Sequence, residues 1–388
     1  MTQLSTLAVL GGGYAGLFAA QRAARAVARA RGSAVRVVLI DAGDAWQERT
    51  RWHQIAAGGT VRSRPRARML RGTGVQNITA TAAGIDLDAR TVTFTGGQQE
   101  PLPFDRLVYA AGSRSSARLV PGAADNGYTL DTAASSHLLA EALARQPAGH
   151  LLVVGGGLTG IQTAAEAAER YPAATITLVS SGQLGHELPE RARTYIRAAL
   201  DRLGVEIMDE KNRVTAVEPG RVRWDGEELE ADLVVWTAGF TPSGLAREAG
   251  LEVTSTGQVT VDDTLRSVSH PFVFAAGDGA AVPRAASPYG AYTATATGAT
   301  AGRNAARDLT GQTPAPLDMG HSFISASVGQ HNAVVQFLQP DGTPRRQMLT
   351  GRPAHWMKEA IEHYVTFAAR AERTLPGIYH WAPAAKKK

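Results

Sequence analysis

A stretch near the start of the chain decides the fold and reads Leu7-Ala8-Val9-Leu10-Gly11-Gly12-Gly13-Tyr14-Ala15-Gly16-Leu17-Phe18-Ala19-Ala20. A short apolar run passes into G-x-G-x-x-G and then into an alanine-rich segment, a pattern that predicts a strand, a tight turn and a helix. Gly11 permits the turn, Gly13 lets the backbone approach a pyrophosphate, and Gly16 lets the helix pack close to the strand. Phosphates bind at the free N–H groups of such a helix start, so the stretch predicts a dinucleotide site.

Length and composition describe a globular protein of more than one domain. The 388 residues exceed one ordinary core, and 44% of them are hydrophobic while 19% are charged. We find no apolar run near the ~20 residues that a bilayer span needs. The start of the chain does not have the pattern of a secretory leader, so we expect a cytoplasmic protein without a membrane span.

The charged and sulfur-containing residues exclude several classes of site. The sequence has no cysteine, which excludes disulfides, thiolate metal sites and a redox-active dithiol. The net charge of +5 fits a protein that binds anionic cofactors, and no basic cluster with interleaved aromatics indicates a nucleic-acid partner. The densest basic run, residues 64–71, is expected to form a solvated face, with contact to a membrane or an anionic partner as the alternative.

The segments after the first motif continue a Rossmann-like unit. The first helix is predicted to end near Gly32, and a second strand, residues 35–40, ends on Asp41. An acid at this position binds a ribose 2′-OH in such units; the alternative is an ordinary polar residue that opens a loop. A later strand, residues 105–110, runs into Ala111 and Gly112, whose small size allows close approach of a ligand.

The opening pattern then occurs a second time, 144 residues further on. Residues 150–161 again combine an apolar strand, a G-x-G-x-x-G motif and the start of a helix, and the following strand ends on Ser180. Two copies, each with strands and a helix around it, predict an α/β fold that binds two dinucleotides. Buried strands also end in Gly239 and in Gly277-Asp278; Asp278 is placed to accept hydrogen bonds from a polyol chain or to cap the helix predicted from about Tyr289.

With these motifs, residues 5–310 resemble the pyridine-nucleotide oxidoreductases of glutathione-reductase fold, flavoproteins with two dinucleotide-binding domains. The resemblance implies FAD at the first motif and NAD(P)H at the second. It also implies two Rossmann-like domains, the second inserted in the first, followed by a small C-terminal α+β segment. The expected boundaries are 1–113 with 241–315 for FAD, 114–240 for NAD(P)H, and 316–388 for the C-terminal interface segment.

The resemblance also implies two sets of binding residues. On the FAD side they are Gly11, Gly12, Gly13, Tyr14, Ala15, Gly16, Asp41, Ala42, Arg49, Ala111, Gly112, Gly277 and Asp278. On the nicotinamide side they are Gly155, Gly157, Thr159, Gly160, Glu166, Ser180 and Gly239.

Within this superfamily the chain looks most like type II NADH dehydrogenases and apoptosis-inducing-factor-like proteins, on residues 155–166, 203–207 and 235–240 with 261–266. Two positions depart from the type II pattern. Gln162 stands where those enzymes usually carry a glutamate near the nicotinamide and flavin. The stretch 291–296, Ala-Tyr-Thr-Ala-Thr-Ala, has neither glutamine of their quinone-facing helix.

The second motif also departs at the ribose end. Ser180-Ser181-Gly182-Gln183 offers no acid to repel a 2′-phosphate. Arg191 and Arg193 lie downstream as candidate phosphate contacts. We therefore expect NADPH, or use of both nicotinamide cofactors.

Hydride transfer to a flavin needs little acid–base help, so the candidate catalytic residues concern the acceptor. They are Gln162, His53, which we expect to protonate an acceptor near neutral pH, and Tyr292, a candidate stacking group or proton donor. The alternatives are a structural histidine and a packed aromatic. Arg49 is a candidate contact for the FAD phosphate or ribityl chain.

Without a dithiol, the acceptors left open are quinones, small organic oxidants, O₂ and a redox protein. The leading hypothesis is a flavoenzyme that passes electrons from NAD(P)H to a small quinone-like or aromatic acceptor. The alternatives are a peripheral membrane quinone reductase of respiration and a nicotinamide-responsive sensor. The amphipathic residues 353–381 suit packing over the active site or in a homodimer, or contact with a membrane surface together with Lys386-Lys387-Lys388.

Overall fold

The computed structural model describes residues 4–30, 34–97, 99–224, 226–283, 289–375 and 377–385. Within these residues the two largest sheets are parallel and have five strands each. The middle strand of each sheet is the one that precedes a G-x-G-x-x-G motif, which we call a fingerprint below. Their central strands are uninterrupted apolar runs because parallel sheets are covered by helices on both faces. The predicted α/β fold with two Rossmann-like units is confirmed.

The first sheet has the strand order β21–β9–β1–β2–β5, and every pair in it is parallel. Helices α1 and α8 cover one side of it. These elements are β1 (Ser5–Leu10), α1 (Tyr14–Arg29), β2 (Val35–Asp41), β5 (Gln76–Thr79), β9 (Arg106–Tyr109), β21 (Val273–Ala275) and α8 (Ala291–Leu309).

The second sheet has the order β11–β18–β12–β13–β14, again parallel throughout. Its strands and helices all lie between β9 and β21 in the chain, so the second unit is inserted in the first. They are β11 (Tyr128–Thr129), α4 (Ala133–Arg145), β12 (His150–Val154), α5 (Leu158–Arg170), β13 (Thr175–Val179), α6 (Glu190–Arg202), β14 (Val205–Met208) and β18 (Leu233–Trp236).

Short elements surround these sheets and connect them. An antiparallel pair, β10 with β19, lies where the chain passes between the two units. The short strands are β3 (Ala45–Trp46), β4 (Arg64–Pro65), β6 (Ala82–Asp86), β7 (Thr91–Phe94), β8 (Leu102–Pro103), β10 (Ser113–Ser115), β15 (Val214–Glu218), β16 (Arg221–Trp224), β17 (Glu227–Glu230), β19 (Phe240–Pro242), β20 (Val259–Thr260) and β22 (Ala280–Ala281). The short helices are α2 (Trp52–Ala56), α3 (Arg66–Leu70) and α7 (Leu245–Glu248), with 3₁₀ turns at Arg49–Arg51, Ser116–Leu119 and Gly277–Gly279.

Helices α1 and α8 touch through their backbones. A Cβ atom at Gly298 would press on the Ala15 backbone, and one at Gly302 would press on that of Ala19. Small residues four apart fall on one face of a helix, and that face lets the two axes approach closely. The helix that begins at the first fingerprint is therefore held against α8 without intervening side chains.

The C-terminal segment is an antiparallel sheet with one long helix. Strands β23 (Phe323–Ser327), β24 (Ala333–Leu338) and β25 (Pro344–Thr350) precede α9 (Gly351–Ala371). The helical spacing predicted over residues 353–381 is therefore correct only to Ala371. The remaining tail folds back, and Tyr379, 4% exposed, packs on Phe18 with 5.1 Å between ring centroids.

Two other predicted boundaries differ from the structure. Helix α1 ends at Arg29, and the predicted end near Gly32 lies outside the described residues, as do Lys386–Lys388. Helix α8 begins at Ala291 rather than Tyr289, because Gly290 has a φ of +137° that a helix does not accept. Among the described helices, none has both the length and the apolar composition that crossing a bilayer requires.

Candidate functional site

The first fingerprint forms the tight turn that its glycines predict. Gly11 has a φ of +106° and donates from its N–H to the Ile40 carbonyl (2.8 Å), so the turn is tied to the neighbouring strand. A Cβ at Gly16 would collide with the Gly11 carbonyl, whereas one at Gly13 would meet nothing within 4 Å. The backbone is thus tight beneath the turn and open above it, where a pyrophosphate has to approach.

Asp41 lies at the end of β2, as predicted, and is bound from three directions. Its carboxylate accepts hydrogen bonds from the Gly12 N–H (2.6 Å), the Gly43 N–H (2.9 Å) and Arg66 Nη2 (2.8 Å). The side chain is still 28% exposed, which leaves room for a ribose hydroxyl. The neighbouring Ala42 is exposed.

Arg66 corrects the prediction that residues 64–71 form a solvated face. Its side chain is fully buried over Gly12, while Arg68 and Arg71 are exposed. Besides Asp41 it donates to the Gly43 carbonyl (2.7 Å). The run forms β4 and α3, and the pairing of β4 with β3 turns this one arginine inward.

A second group of polar side chains lies at the far end of the first site. Asp278 Oδ2 accepts a hydrogen bond from Ser113 Oγ (2.6 Å) and lies 3.9 Å from Arg49 Nη1, which donates to the Ser113 carbonyl (2.8 Å). The Arg49 guanidinium also lies between the rings of Trp52 and Phe240. Arg49 and Asp278, both predicted from the sequence, are therefore brought together.

The small residues of the first site frame this polar end. Gly112 has a φ of +67° with open space where its Cβ would be. Gly277 donates to Thr297 Oγ1 (3.0 Å) and lies against Ala15. Ala111 is half-buried beside them, and Tyr14 packs edge-on against Trp46.

The described residues of the first site fit FAD. Arg66 Nε and Arg49 Nη2 are buried and find no hydrogen-bond partner among them. Buried donors of this kind are costly unless an acceptor satisfies them, and the phosphate and hydroxyl oxygens of FAD are such acceptors. The two orphaned donors lie at opposite ends of the glycine turn, one with Asp41 and one with Asp278.

The second fingerprint repeats the first in its backbone. Gly155 has a φ of +126° and donates to the Val179 carbonyl (2.8 Å), and a Cβ at Gly160 would collide with the Gly155 carbonyl. The space above Gly157 is open. Thr159 lies in the first turn of α5, where its carbonyl accepts from Thr163.

The ribose end of the second site differs from that of the first. Ser180 occupies the position of Asp41 and accepts a weak hydrogen bond from the Gly182 N–H (3.4 Å). The expected arginines point elsewhere: Arg191 donates to the Arg346 carbonyl (3.0 Å) and Arg193 to that of Leu188 (2.6 Å). Gly239 lies at the other end of the site, with a φ of +68° and Ser116 close by.

Three predicted residues meet in a buried polar cluster where α2 and β23 contact α5. Ser327 donates from its N–H (3.2 Å) and its hydroxyl (3.1 Å) to Gln162 Oε1, and its Oγ lies 3.3 Å from His53 Nε2. His53 Nε2 lies 3.9 Å from Glu166 Oε1. All four side chains are buried.

Burial and nearby charge set the protonation of this cluster. Burial, helped by the positive charges of Lys358 and Arg51, lowers the pKa of His53 well below its usual value. Burial and the charge of Glu169 raise the pKa of Glu166 to about 7, against an opposing effect of Lys358. Near neutral pH the imidazole is therefore uncharged, and the carboxyl beside it exchanges a proton.

A network of ion pairs centred on Arg51 joins this region to α9. Arg51 binds Glu359 (2.8 Å), Glu362 (2.8 Å) and Glu48 (3.1 Å). Lys358 is buried and binds Glu362 (2.6 Å). Burial alone would raise the pKa of Glu359, but the hydrogen bond and charge of Arg51 lower it.

Tyr292 is held by the C-terminal tail. Its hydroxyl donates to the Gly320 carbonyl (2.7 Å) and accepts from the Ala382 N–H (3.0 Å). The hydroxyl also has a side-chain hydrogen bond with Ser322, so it is engaged within the protein, an arrangement that favours the packing alternative over proton donation.

Three residues of the site were not found by sequence reasoning. Ser327 and Lys358 come from the C-terminal segment, and neither stands in a motif. Arg66 lay in a run whose composition indicates solvent exposure. The only sequence signal for Lys358 was its place four residues before Glu362 on an amphipathic helix.

Comparisons with known proteins agree on one family. Residues 5–299 match the family described as pyridine nucleotide-disulphide oxidoreductase. An NADH dehydrogenase-like protein of Mycobacterium tuberculosis is 31% identical over 387 residues, covering 92% of this chain and 93% of that relative. A demethylphylloquinone reductase of Synechocystis is 28% identical over 298 residues, 71% of each chain. The structure of a sulfide:quinone oxidoreductase from Aquifex aeolicus superposes with a TM-score of 0.80 at 19% identity, covering 96% of this chain and 93% of that one.

Proposed function

The chain belongs to the pyridine nucleotide-disulphide oxidoreductase family, and from that premise we propose that this FAD-dependent NAD(P)H oxidoreductase passes its electrons to a quinone. FAD held at the first site would supply the redox chemistry, uptake of a hydride from the nicotinamide and release of two electrons to an acceptor. The observation that carries the proposal is the presence of two open dinucleotide turns in a sequence without cysteine.

The chain's own groups hold the two cofactors. Asp41 and Arg66 bind the ADP end of FAD, and Arg49 and Asp278 bind its ribityl end. The backbone turn at Gly155 receives the pyrophosphate of NAD(P)H. Each of these groups is already positioned by hydrogen bonds within the protein, so little ordering is needed when the cofactor binds.

The acceptor class rests on what the chain lacks and on what its relatives are called. Members of this family that act through a dithiol need cysteines, and the 388 residues contain none. Two similar proteins carry names that specify quinones, demethylphylloquinone reductase and sulfide:quinone oxidoreductase. A quinone takes up two electrons directly from a reduced flavin, so no thiol is required.

For the donor, we propose that both NADH and NADPH are accepted. Ser180 offers a hydroxyl where Asp41 offers a carboxylate, so a 2′-phosphate meets no negative charge there. The nearest acid on the following strand end, Asp209, is paired with Arg197.

Anaerobic stopped-flow reduction tests this proposal. The FAD-loaded protein is mixed with NADH or NADPH, and the reduced form is then mixed with a water-soluble benzoquinone, a ferredoxin or O₂. We expect flavin bleaching by both donors and reoxidation by the quinone at least about tenfold faster than by ferredoxin or O₂. Faster reoxidation by ferredoxin, or bleaching with no turnover on any acceptor, overturns the quinone assignment; the second result is what a sensor predicts.

One observation favours a second candidate, in which the quinone is drawn from a membrane surface. Trp356 and Phe367, 68% and 56% exposed, lie eleven residues apart on one face of α9, with exposed Tyr364 between them and Arg370 beside them. Sedimentation with vesicles of anionic phospholipid tests it. Phe367→Ser should reduce the bound fraction several-fold, while Leu138→Ser, at an equally exposed leucine on α4, should not. No sedimentation of the native protein overturns this candidate.

A further inference from the structure

A polar cavity of about 500 Å³ opens beside the buried cluster. Its walls come from the loop after α2, from α5, from the turn after β23 and from α9. The residues that matter here are Glu166, Ser327, Arg51, Arg170, His355 and Glu359. We propose that this cavity, with Glu166 and His53, is the path by which water supplies the proton consumed when the acceptor is reduced, an inference that rests on the proposed function.

The cluster extends from the cavity to the contact between α2 and α5. Glu166 and Ser327 line the cavity, while His53 and Gln162 lie behind them. His53 follows Arg49 and Trp52 of the first site, and Gln162 follows Gly160 of the second. A proton that leaves the cavity through Glu166 is therefore delivered to the contact between α2, which follows Arg49, and α5, which begins at the second motif.

Hydrogen bonding fixes the direction in which each group can transfer a proton. The His53 ring bonds to the Thr50 backbone, and its Nε2 faces Ser327 and Glu166. The proposed path uses the tautomer with the hydrogen on Nδ1, which leaves Nε2 as the acceptor. Ser327 donates its own hydrogen to Gln162 and so does not carry the proton. Nε2 is thus open to a proton from Glu166, 3.9 Å away, after rotation of the carboxyl or through one bridging water.

The charged groups that affect Glu166 lie on its own helix, on α9 and in the 3₁₀ turn. Glu169 lies on the same helix, Lys358 and Glu359 on α9, and Arg51 in the 3₁₀ turn; His53 is neutral. Burial and Glu169 favour the protonated acid, and Lys358 opposes them. With its pKa near 7, Glu166 both holds and releases a proton under physiological conditions.

The cavity suits water better than it suits the acceptor. Its walls carry two arginines, two glutamates, a histidine and two glutamines, all groups that hydrogen-bond water. A quinone is an apolar ring and would leave these groups unsatisfied. The cavity is therefore the route for protons, and the acceptor binds elsewhere.

The proton balance requires such a route. NAD(P)H, one proton and a quinone give NAD(P)⁺ and a quinol: the hydride brings two electrons and one hydrogen, and the second hydrogen comes from solvent. Glu166 loses its O–H bond as an O–H bond of the quinol forms, and cavity water then protonates the carboxylate again.

The test compares Glu166→Gln with Glu190→Gln, an exposed carboxylate on α6. In FAD-loaded protein, the rate at which NAD(P)H bleaches the flavin is measured first for the native enzyme and for both variants, and each reoxidation rate is compared with it. Reoxidation by benzoquinone, and proton uptake followed with an indicator dye, should slow at least about tenfold only in Glu166→Gln. In the native protein this reoxidation rate should fall as the pH rises through about 7, and the dependence should disappear in Glu166→Gln.

A second readout does not depend on turnover. The infrared carboxylic-acid C=O band should titrate near neutral pH in native protein and in Glu190→Gln, and be lost in Glu166→Gln. Unchanged proton uptake in Glu166→Gln, or retention of that band, overturns the path alone. If instead the native enzyme fails to reduce any quinone, the proposed function itself is overturned.

Discussion

The two dinucleotide sites of this chain share a backbone turn and differ in the side chains at the ribose end. Gly11 and Gly155 both have a positive φ. A Cβ added at Gly16 would collide with the Gly11 carbonyl, and one added at Gly160 would collide with the equivalent carbonyl of Gly155. The helices α1 and α5 both begin without a side-chain cap. At the end of the second strand, however, one site has Asp41 with Arg66 and the other has Ser180.

This difference separates two tasks. Phosphate binding depends on backbone N–H groups, so it is preserved wherever the turn is preserved. Recognition of the ribose depends on a side chain, so it can change without disturbing the fold. A substitution in one site therefore serves as the control for the equivalent substitution in the other site in the experiments that follow.

The largest loss of cofactor binding is expected when a Cβ is added beneath either glycine turn. Gly16→Ala places a Cβ against the Gly11 carbonyl, and Gly160→Ala does the same at Gly155. Overpacking of this kind costs about 3 kcal/mol, or about 100-fold in binding. Gly16→Ala should be purified without flavin, and Gly160→Ala should keep its flavin and lose bleaching by NAD(P)H. Flavin absorbance and stopped-flow bleaching measure the two losses, and equal flavin content in both variants contradicts the assignment of the sites.

Removal of the arginine that covers the first turn should have the next largest effect. Arg66→Met keeps much of the buried volume but removes the hydrogen bonds to Asp41 and the orphaned donor. A hydrogen bond to a charged group contributes about 1.5–3 kcal/mol, so FAD should bind about 10–100-fold more weakly. Fluorescence titration of the flavin-free protein measures this. Arg68→Met, exposed on the same helix, is the matched control, and an equal loss there would assign the effect to general charge.

A smaller effect should follow when the difference between the sites is removed. Ser180→Asp restores a carboxylate at the second ribose position, where it repels a 2′-phosphate. The ratio of kcat/KM for NADH to that for NADPH should rise about tenfold, with the flavin content unchanged. A ratio that stays constant would show that the nicotinamide ribose lies away from Ser180.

The smallest effect on the fold is expected at the open position of each turn. A Cβ at Gly13 or Gly157 meets nothing within 4 Å, so alanine there should change the free energy of unfolding by about 1 kcal/mol or less. Urea denaturation of the two variants measures this. A much larger loss would mean that these glycines serve the fold rather than the approach of a cofactor.

The sequence allowed prediction of what depends on neighbouring residues. Each fingerprint is a local pattern, so the turns at Gly11 and Gly155 and the position of Asp41 were accessible without a structure. Arg66 was not, because its burial depends on the pairing of β3 with β4 and not on the basic run around it. Gln162 and Ser327 are 165 residues apart and share no motif, so their contact appears only in the folded chain.

The contact between α1 and α8 predicts how this protein tolerates change over evolutionary time. Since Gly298 and Gly302 touch the Ala15 and Ala19 backbones, any larger residue there moves the helix that carries the first fingerprint. Selection at positions 298 and 302 should therefore be as strict as at Gly16, although they lie about 280 residues away and bind nothing themselves. In a library that replaces every residue of α8, Gly298 and Gly302 should tolerate larger residues least, because at both positions the added Cβ meets backbone, which cannot move aside as a side chain can.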